Sequence, residues 1–261
     1  VSTKIQIVHC TTCLSFNASE RKRKTSTNTK QSRKVYSYFY PGQRKQRSRG
    51  GIRGDTLLDF GTGPTIYQLL SACEVFDKII VSDFLEQNRA EIQKWLKKDP
   101  DAFDWTHILK FVCELEGNRE DYEKKADKLR SKVKEVLKCD ALKRNPYDPV
   151  VVSPVDCLLT CLCLEVACKD IKSFCEVLKN FKDLIKSGGH LVLVSVLNTT
   201  YYYVGKTYFG SLSTEKEELE EAFKEAGYQI EKMVYTPRMD KSMMEVADYQ
   251  TNYFILARKS E

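Results

Sequence analysis

Histidine is scarce in this 261-residue chain, with three copies, and tryptophan occurs twice. So few imidazoles leave little material for a metal site. The one Cys-x-x-Cys pair, Cys10 and Cys13, has no second pair to complete a four-ligand set, so no metal is expected. Long apolar runs are missing as well: none approaches the roughly 18–20 residues of a membrane span. The opening VSTKIQIVHC is too polar for a secretory signal. No internal repeat is present. Acid is nearly missing from residues 1–50, which hold 12 Lys and Arg against Glu20 alone, a net of +11. The +6 of the whole chain therefore leaves −5 for residues 51–261.

What is abundant is cysteine, with ten copies, many inside apolar runs such as CLLTCLCLEVAC. A secreted disulfide framework is short and loop-rich, and this chain is neither. Buried reduced thiols are the expectation, and with them a reducing, cytoplasmic compartment. With 42% hydrophobic residues the chain has ample material for one core.

Residues 1–50 read as a basic, disordered leader. RKRKTSTNTKQSRK and PGQRKQRSRGG are polar and aperiodic, with a short aromatic island, KVYSYFY, between them. Such a leader is a solvated extension or a nucleic-acid handle, and the first reading is preferred. Residues 51–261 read as the folded domain. TLLDF (56–60), KIIVSD (78–83), DCLLTCLCL (156–164) and HLVLVSVL (190–197) are strand-like. Between them, TIYQLLSACEVF, QNRAEIQKWLKK (87–98), REDYEKKADKLRSKVKEVL (119–137) and DIKSFCEVLKNFKDLI (170–185) are helix-like, as is TEKEELEEAFKEAG (214–227). YQIEKMVY and NYFILARK have no helix-length segment between them and are expected to pair antiparallel. The alternation predicts an α/β fold: a mostly parallel sheet, antiparallel at its end, with helices on both faces.

The stretch LLDFGTGPTIYQLLSACEVFDKIIVSDF (57–84) carries the chemistry. A glycine turn between strand and helix lets a ligand approach the backbone. Asp83, at the end of the second strand, can accept from both hydroxyls of a ribose. That much fits a nicotinamide dinucleotide or any adenosyl ligand. GTGP lacks the third glycine of GxGxxG, Asp59 stands inside the first strand, and CDAL places Asp140 where a carboxylate can accept from an adenine amino group. Acids at three strand ends favour a cationic ligand, S-adenosylmethionine.

LLDFGTGPTIYQLLSACEVF, SDFLEQNRAEIQKWLKKDPDAFDW, CELEGNR, LKCD, LCLEVACKDI and KSGGHLVLVSVL resemble the small-amine N-methyltransferase family, which includes nicotinamide, phenylethanolamine and indolethylamine (thioether) N-methyltransferases. The resemblance spans about residues 51–260. It implies a class I S-adenosylmethionine-dependent methyltransferase fold with a seven-stranded sheet. It also implies that Gly61, Thr62 and Gly63 face the methionine part of the cofactor, with Tyr67 beside it. Asp83 takes the ribose, Phe84 and Asn88 flank the adenosine, Asp140 and Ala141 edge the adenine, and Cys161 and Leu162 lie where cofactor meets substrate. Glu165 and Tyr202 are the implied catalytic residues, and Ser195, Thr199 and Ser211 further pocket positions.

Two departures bear on function. Nicotinamide enzymes carry Asp where Ser195 stands, which favours another small amine, pyridine or thioether as acceptor. The family's leading element, similar to DYLxxYYxF, has no counterpart in residues 1–49 at the right distance: VYSYFY ends at Tyr40, 16 residues before Thr56. The alternative reading is thus a cofactor-binding, methyltransferase-like protein with little turnover. A nucleic-acid methyltransferase is disfavoured by the acidic domain and by the lack of a [DN]PP[YF] motif, RNPYDP (144–149) reading as a loop. A monomer acting on small molecules is expected.

Overall fold

Four of the five residues in TLLDF are buried, as both faces of a central parallel strand require. In the computed structural model, which describes residues 52–117, 119–238 and 244–260, this run is β1 (Thr56–Phe60). It is followed by β2 (Lys78–Asp83), α1 (Glu86–Leu96), α2 (Thr106–Leu115), α3 (Tyr122–Lys132) and β3 (Val133–Lys138). Next come β4 (Val155–Cys161), the one-turn α4 (Leu164–Ala167), α5 (Ile171–Leu184) and β5 (Ile185–Leu197). A hairpin of β6 (Tyr201–Val204) and β7 (Thr207–Gly210) precedes α6 (Lys216–Glu225), β8 (Tyr228–Pro237) and β9 (Thr251–Lys259).

The seven-stranded sheet has the order β3-β2-β1-β4-β5-β9-β8, and β6–β7 stands apart. β1 to β5 pair in parallel, and β9 runs antiparallel to both β5 and β8. The predicted architecture therefore holds, including the antiparallel last strand. Alternate residues of β1 feed two cores: Leu58 and Phe60 pack with α5 and α6 on one face, Leu57 with α1, α2 and α3 on the other. Strand order reverses between β1 and β4, and ligands of such sheets sit at the carboxyl ends of the strands beside that reversal.

Several local expectations are corrected. TIYQLLSACEVF forms two 3-10 turns, Tyr67–Leu69 and Ala72–Glu74, rather than an α-helix. Thr65 and Gln68 spend their side chains on carbonyls of the preceding turn, which draws the backbone into i→i+3 geometry. The helix expected over 119–137 begins with a 3-10 turn and ends at Lys132. VKEVLK extends instead because Glu135, Val136, Leu137 and Lys138 register against Ile80–Asp83 of β2. β5 begins at Ile185, five residues before the expected HLVLVSVL, with an irregular register against β4 near its start. α2 and the β6–β7 hairpin have no counterpart in the sequence reading. The basic leader, its aromatic island, Cys10 and Cys13 lie outside the described residues.

Candidate active site

The glycine turn that follows β1 is shaped by steric need. Gly61 and Gly63 take φ of +71° and +62°, a region costly for residues with a Cβ. A Cβ on Gly61 would lie 2.2 Å from Cys163 Sγ, whereas one on Gly63 would meet nothing within 4 Å. The first glycine lets the turn pack against the chain after β4; the second leaves open space. The Thr62 N–H donates to the Ser82 carbonyl at 2.9 Å, joining the turn to β2. Asp83 ends β2 with its carboxylate held by three donors: the Gly63 N–H on Oδ2 at 2.8 Å, and the Leu85 N–H and Asn88 Nδ2 on Oδ1, both at 2.9 Å. Asn88 Oδ1 is buried without a partner among the described residues.

A cavity of about 430 Å³ opens over this turn, within the roughly 300–1,000 Å³ of small-molecule sites. The turn contributes Gly61, Thr62 and Gly63; β2 and α1 contribute Asp83, Phe84 and Asn88; the loop after β3 contributes Asp140 and Ala141. Cys161 and Leu162 at the end of β4, and Tyr202 on β6, complete the expected set. Leu162 takes a φ of +52°, a strained conformation for a branched residue that tertiary contacts must enforce. Its N–H donates to the Val194 carbonyl of β5 at 2.9 Å.

Six residues named from the sequence do not line the cavity. Asp59 lies beneath the turn, fully buried, with Oδ2 accepting from Gln68 Nε2 at 2.9 Å. Burial raises its pKa to about 7, against hydrogen bonds from Gln68 and Thr62 and aided by the charge of Asp83. It supports the turn rather than facing a sulfonium. Tyr67 stands one layer out, its hydroxyl 3.3 Å from Cys161 Sγ. Thr199 Oγ1 donates to Asp248 Oδ1 at 3.2 Å, and Ser211 Oγ donates to the Glu165 carbonyl at 3.4 Å. Both therefore fix backbone around the pocket.

Glu165 and Ser195 form the most distinctive pair. Glu165 is 5% exposed, and neither carboxyl oxygen has a hydrogen-bond partner among the described residues; the Ser195 hydroxyl is also unpartnered. Burial raises the Glu165 carboxyl to about 7, against the nearby Ser195 hydroxyl, which favours ionisation. Burial and the Glu165 charge raise the Tyr202 phenol to about 12, so Glu165 acts electrostatically on a ring at the cavity wall. Tyr202 stacks on Phe209 across the hairpin, with centroids 5.2 Å apart and planes at 12°.

Sequence reasoning missed Cys139, Cys163, Val166, Ala167 and Phe209, all of which line the cavity. Cys139 lies in LKCD, and Cys163, Val166 and Ala167 lie in LCLEVACKDI, so the resemblance covered all but Phe209 without singling them out. Burial pushes the Cys139 thiol up to about 12 and that of Cys163 well above its ordinary range, so both are thiols at neutral pH. All eight described cysteines are free. Among the described residues no group of three or more His, Cys, Asp or Glu could hold a metal ion. No helix among them is long and apolar enough to cross a membrane.

The model of the NNMT/PNMT/TEMT family matches residues 20–260. The chain belongs to this family. Its match begins inside the basic leader. An indolethylamine N-methyltransferase of Oryctolagus cuniculus is 49% identical over 80% of this chain and 79% of its own. The nicotinamide N-methyltransferase of Homo sapiens is 46% identical over 80% of this chain and 78% of its own. Among solved structures, a SAM-dependent methyltransferase of Methanosarcina mazei superposes with a TM-score of 0.55 at 13% identity, covering 80% of this chain and 93% of that one, which is a likeness of fold. By family and fold this chain is an S-adenosylmethionine-dependent methyltransferase. Nothing in these matches favours the alternative of a cofactor-holding protein without turnover.

Proposed function

We propose that the chain transfers a methyl group to the nitrogen of a small amine, an arylalkylamine in preference to a nicotinamide-like pyridine, with the cavity at the glycine turn as its cofactor site. The observation that carries the preference is Glu165: a buried carboxyl with two unpartnered oxygens. An amine brings the N–H donors such a group lacks, whereas Ser195 offers a pyridine carboxamide no charge to lean on. The indolethylamine and nicotinamide names of the relatives frame the same choice.

The cavity suits S-adenosylmethionine. Asp83 is set for a ribose, the turn opens at Gly63, and Asp140 and Ala141 edge the far end. When bound, the cofactor supplies an electrophilic methyl group on a sulfonium. The protein's work is then to align the acceptor nitrogen and exclude water. Tyr202 and Phe209 wall the mouth with apolar surface. A protonated amine must lose a proton before it can attack. Glu165 does not itself line the cavity but lies between the lining residues Cys163 and Val166 in the chain, so its carboxyl, raised by burial to about 7, would take that proton through a relay.

We further infer that residues 51–261 form the catalytic domain and residues 1–50 a basic extension, supported by the break in charge between them. The cytoplasm is the proposed compartment, supported by eight free cysteines. A monomer without a nucleic-acid partner is proposed, supported by the acidic balance of residues 51–261.

Calorimetric titration with S-adenosylmethionine tests the site. The chain should bind at micromolar affinity, and Asp83→Ala should weaken binding at least roughly tenfold, as loss of hydrogen bonds to a charged group does. Equal affinity in the two proteins would move the cofactor elsewhere. With phenylethylamine, tryptamine and nicotinamide as acceptors, Glu165→Gln should reduce turnover of the amines more than that of the pyridine.

A further inference from the structure

Gln68 takes no part in the mechanism above, yet it holds the glycine turn from beneath. It is buried, sits in the first 3-10 turn and does not line the cavity. Its Nε2 donates to Asp59 Oδ2 at 2.9 Å, to the Thr62 carbonyl at 3.1 Å and to the Thr65 carbonyl at 3.3 Å. Its Oε1 lies 3.1 Å from Thr65 Oγ1, whose single hydrogen is shared with the Thr62 carbonyl at 2.9 Å. These partners settle the amide's orientation. Turned over, its oxygen would face two backbone carbonyls that cannot donate and the Asp59 carboxyl, which can donate only when protonated.

One amide thus ties the strand that enters the turn, through Asp59, to Thr62 and to Thr65. Gly63 and Pro64 lie between those two anchors, and both line the cavity. Glycine is the residue least restrained by its own backbone, so a turn built on Gly61 and Gly63 needs its shape imposed from outside. The Thr62 N–H to Ser82 bond fixes one side of it; Gln68 fixes the floor.

We propose that Gln68 is a positioning residue for the cofactor: it holds the Gly61–Thr65 turn in the shape that receives S-adenosylmethionine, without touching it. The inference rests on the assignment of this cavity as the cofactor site.

The test is Gln68→Met, which keeps most of the volume and removes every donor, measured beside wild type and Asp83→Ala by calorimetry and initial rates. The Kd and KM for S-adenosylmethionine should rise roughly tenfold, while the acceptor KM and kcat at saturating cofactor stay within about twofold. A glutamine that only filled space would lower the melting temperature and leave cofactor affinity alone. Weak binding by Asp83→Ala with unchanged binding by Gln68→Met overturns the role of Gln68. Unchanged binding by both overturns the cavity assignment as well.

Should Gln68→Met fail to fold, Gln68→Glu carries the test, because its carboxyl can donate only when protonated. The new carboxyl would lie within hydrogen-bonding distance of Asp59 Oδ2, so the two would titrate as one coupled pair. The ratio of the variant's affinity to that of wild type reads the loss of the donor at position 68 through that pair. That ratio should worsen between about pH 5.5 and about pH 8.5; a ratio independent of pH overturns the proposal.

Discussion

At the scale of single residues, the site depends on contacts too close to tolerate an added carbon. Gly61 meets two demands at once, a φ of +71° and a Cβ position already filled by Cys163 Sγ. Gly61→Ala should destabilise the fold by about 2–4 kcal/mol, from backbone strain together with overpacking. Adding Cys163→Ala should recover the packing share and leave the backbone share. Urea melts of the single and double variants would show this, and a double variant no more stable than the single one would refute the contact. Gly63 has the same backbone demand but open space around it. Two glycines of one motif thus meet different surroundings, one a packed side chain and the other open space beside the cavity.

At the scale of elements, the β6–β7 hairpin owes its placement to a residue far along the chain. Asp248 accepts from the Thr200 N–H at 2.8 Å, Thr200 Oγ1 at 2.6 Å, Thr199 Oγ1 at 3.2 Å and the Tyr201 N–H at 3.3 Å. Burial alone would raise its pKa, but the donors outweigh burial and hold the carboxyl below its ordinary range. An ionised anchor at the start of β6 sets where Tyr202 and Phe209 stand. Asp248→Ala should raise the acceptor KM roughly tenfold and leave cofactor affinity nearly unchanged, since several bonds to a charged group are lost away from the glycine turn. Equal rises for both substrates would mean that the hairpin is coupled to the whole cavity.

At the scale of the whole molecule, two buried acids oppose the usual pH dependence of stability. Asp59 and Glu165 both have folded pKa values of about 7, raised by burial from 3.8 and 4.5. The folded chain binds their protons more tightly than the unfolded one. Their contribution is therefore complete below about pH 4 and is lost as pH rises through about 7. Asp170 behaves in the opposite sense: the backbone N–H and hydroxyl of Ser173 lower its pKa, so its contribution is lost as pH falls through the lowered value. Stability should accordingly fall between about pH 5 and pH 8. Glu165→Gln should remove its share of that fall, up to roughly 3 kcal/mol at pH 8, at about 1.4 kcal/mol per pH unit between the two values. Parallel slopes in the two proteins would show that Glu165 is ionised in the folded chain throughout.

Much of this protein is determined by residues close together in the chain. The βαβ order, the glycine turn, Asp83 at the end of β2 and the antiparallel pair β8–β9 follow from hydrophobic period, turn chemistry and spacing, and each of these acts over a few residues. So do most of the cavity's polar groups, because the ends of parallel strands meet wherever such a sheet forms. Tertiary structure alone decided the rest. VKEVLK fits a helix or a strand by period, and pairing with β2 made it β3. Asp59 carries the same residue type as Asp83, yet Gln68 and burial turned it inward to the floor of the turn. The Gly61–Cys163 contact, the Glu165–Ser195 pair and the Asp248 anchor join residues 30 to 102 positions apart. No local pattern records them, because they arise only when β1, β4 and β5 lie side by side and the chain folds back over their ends.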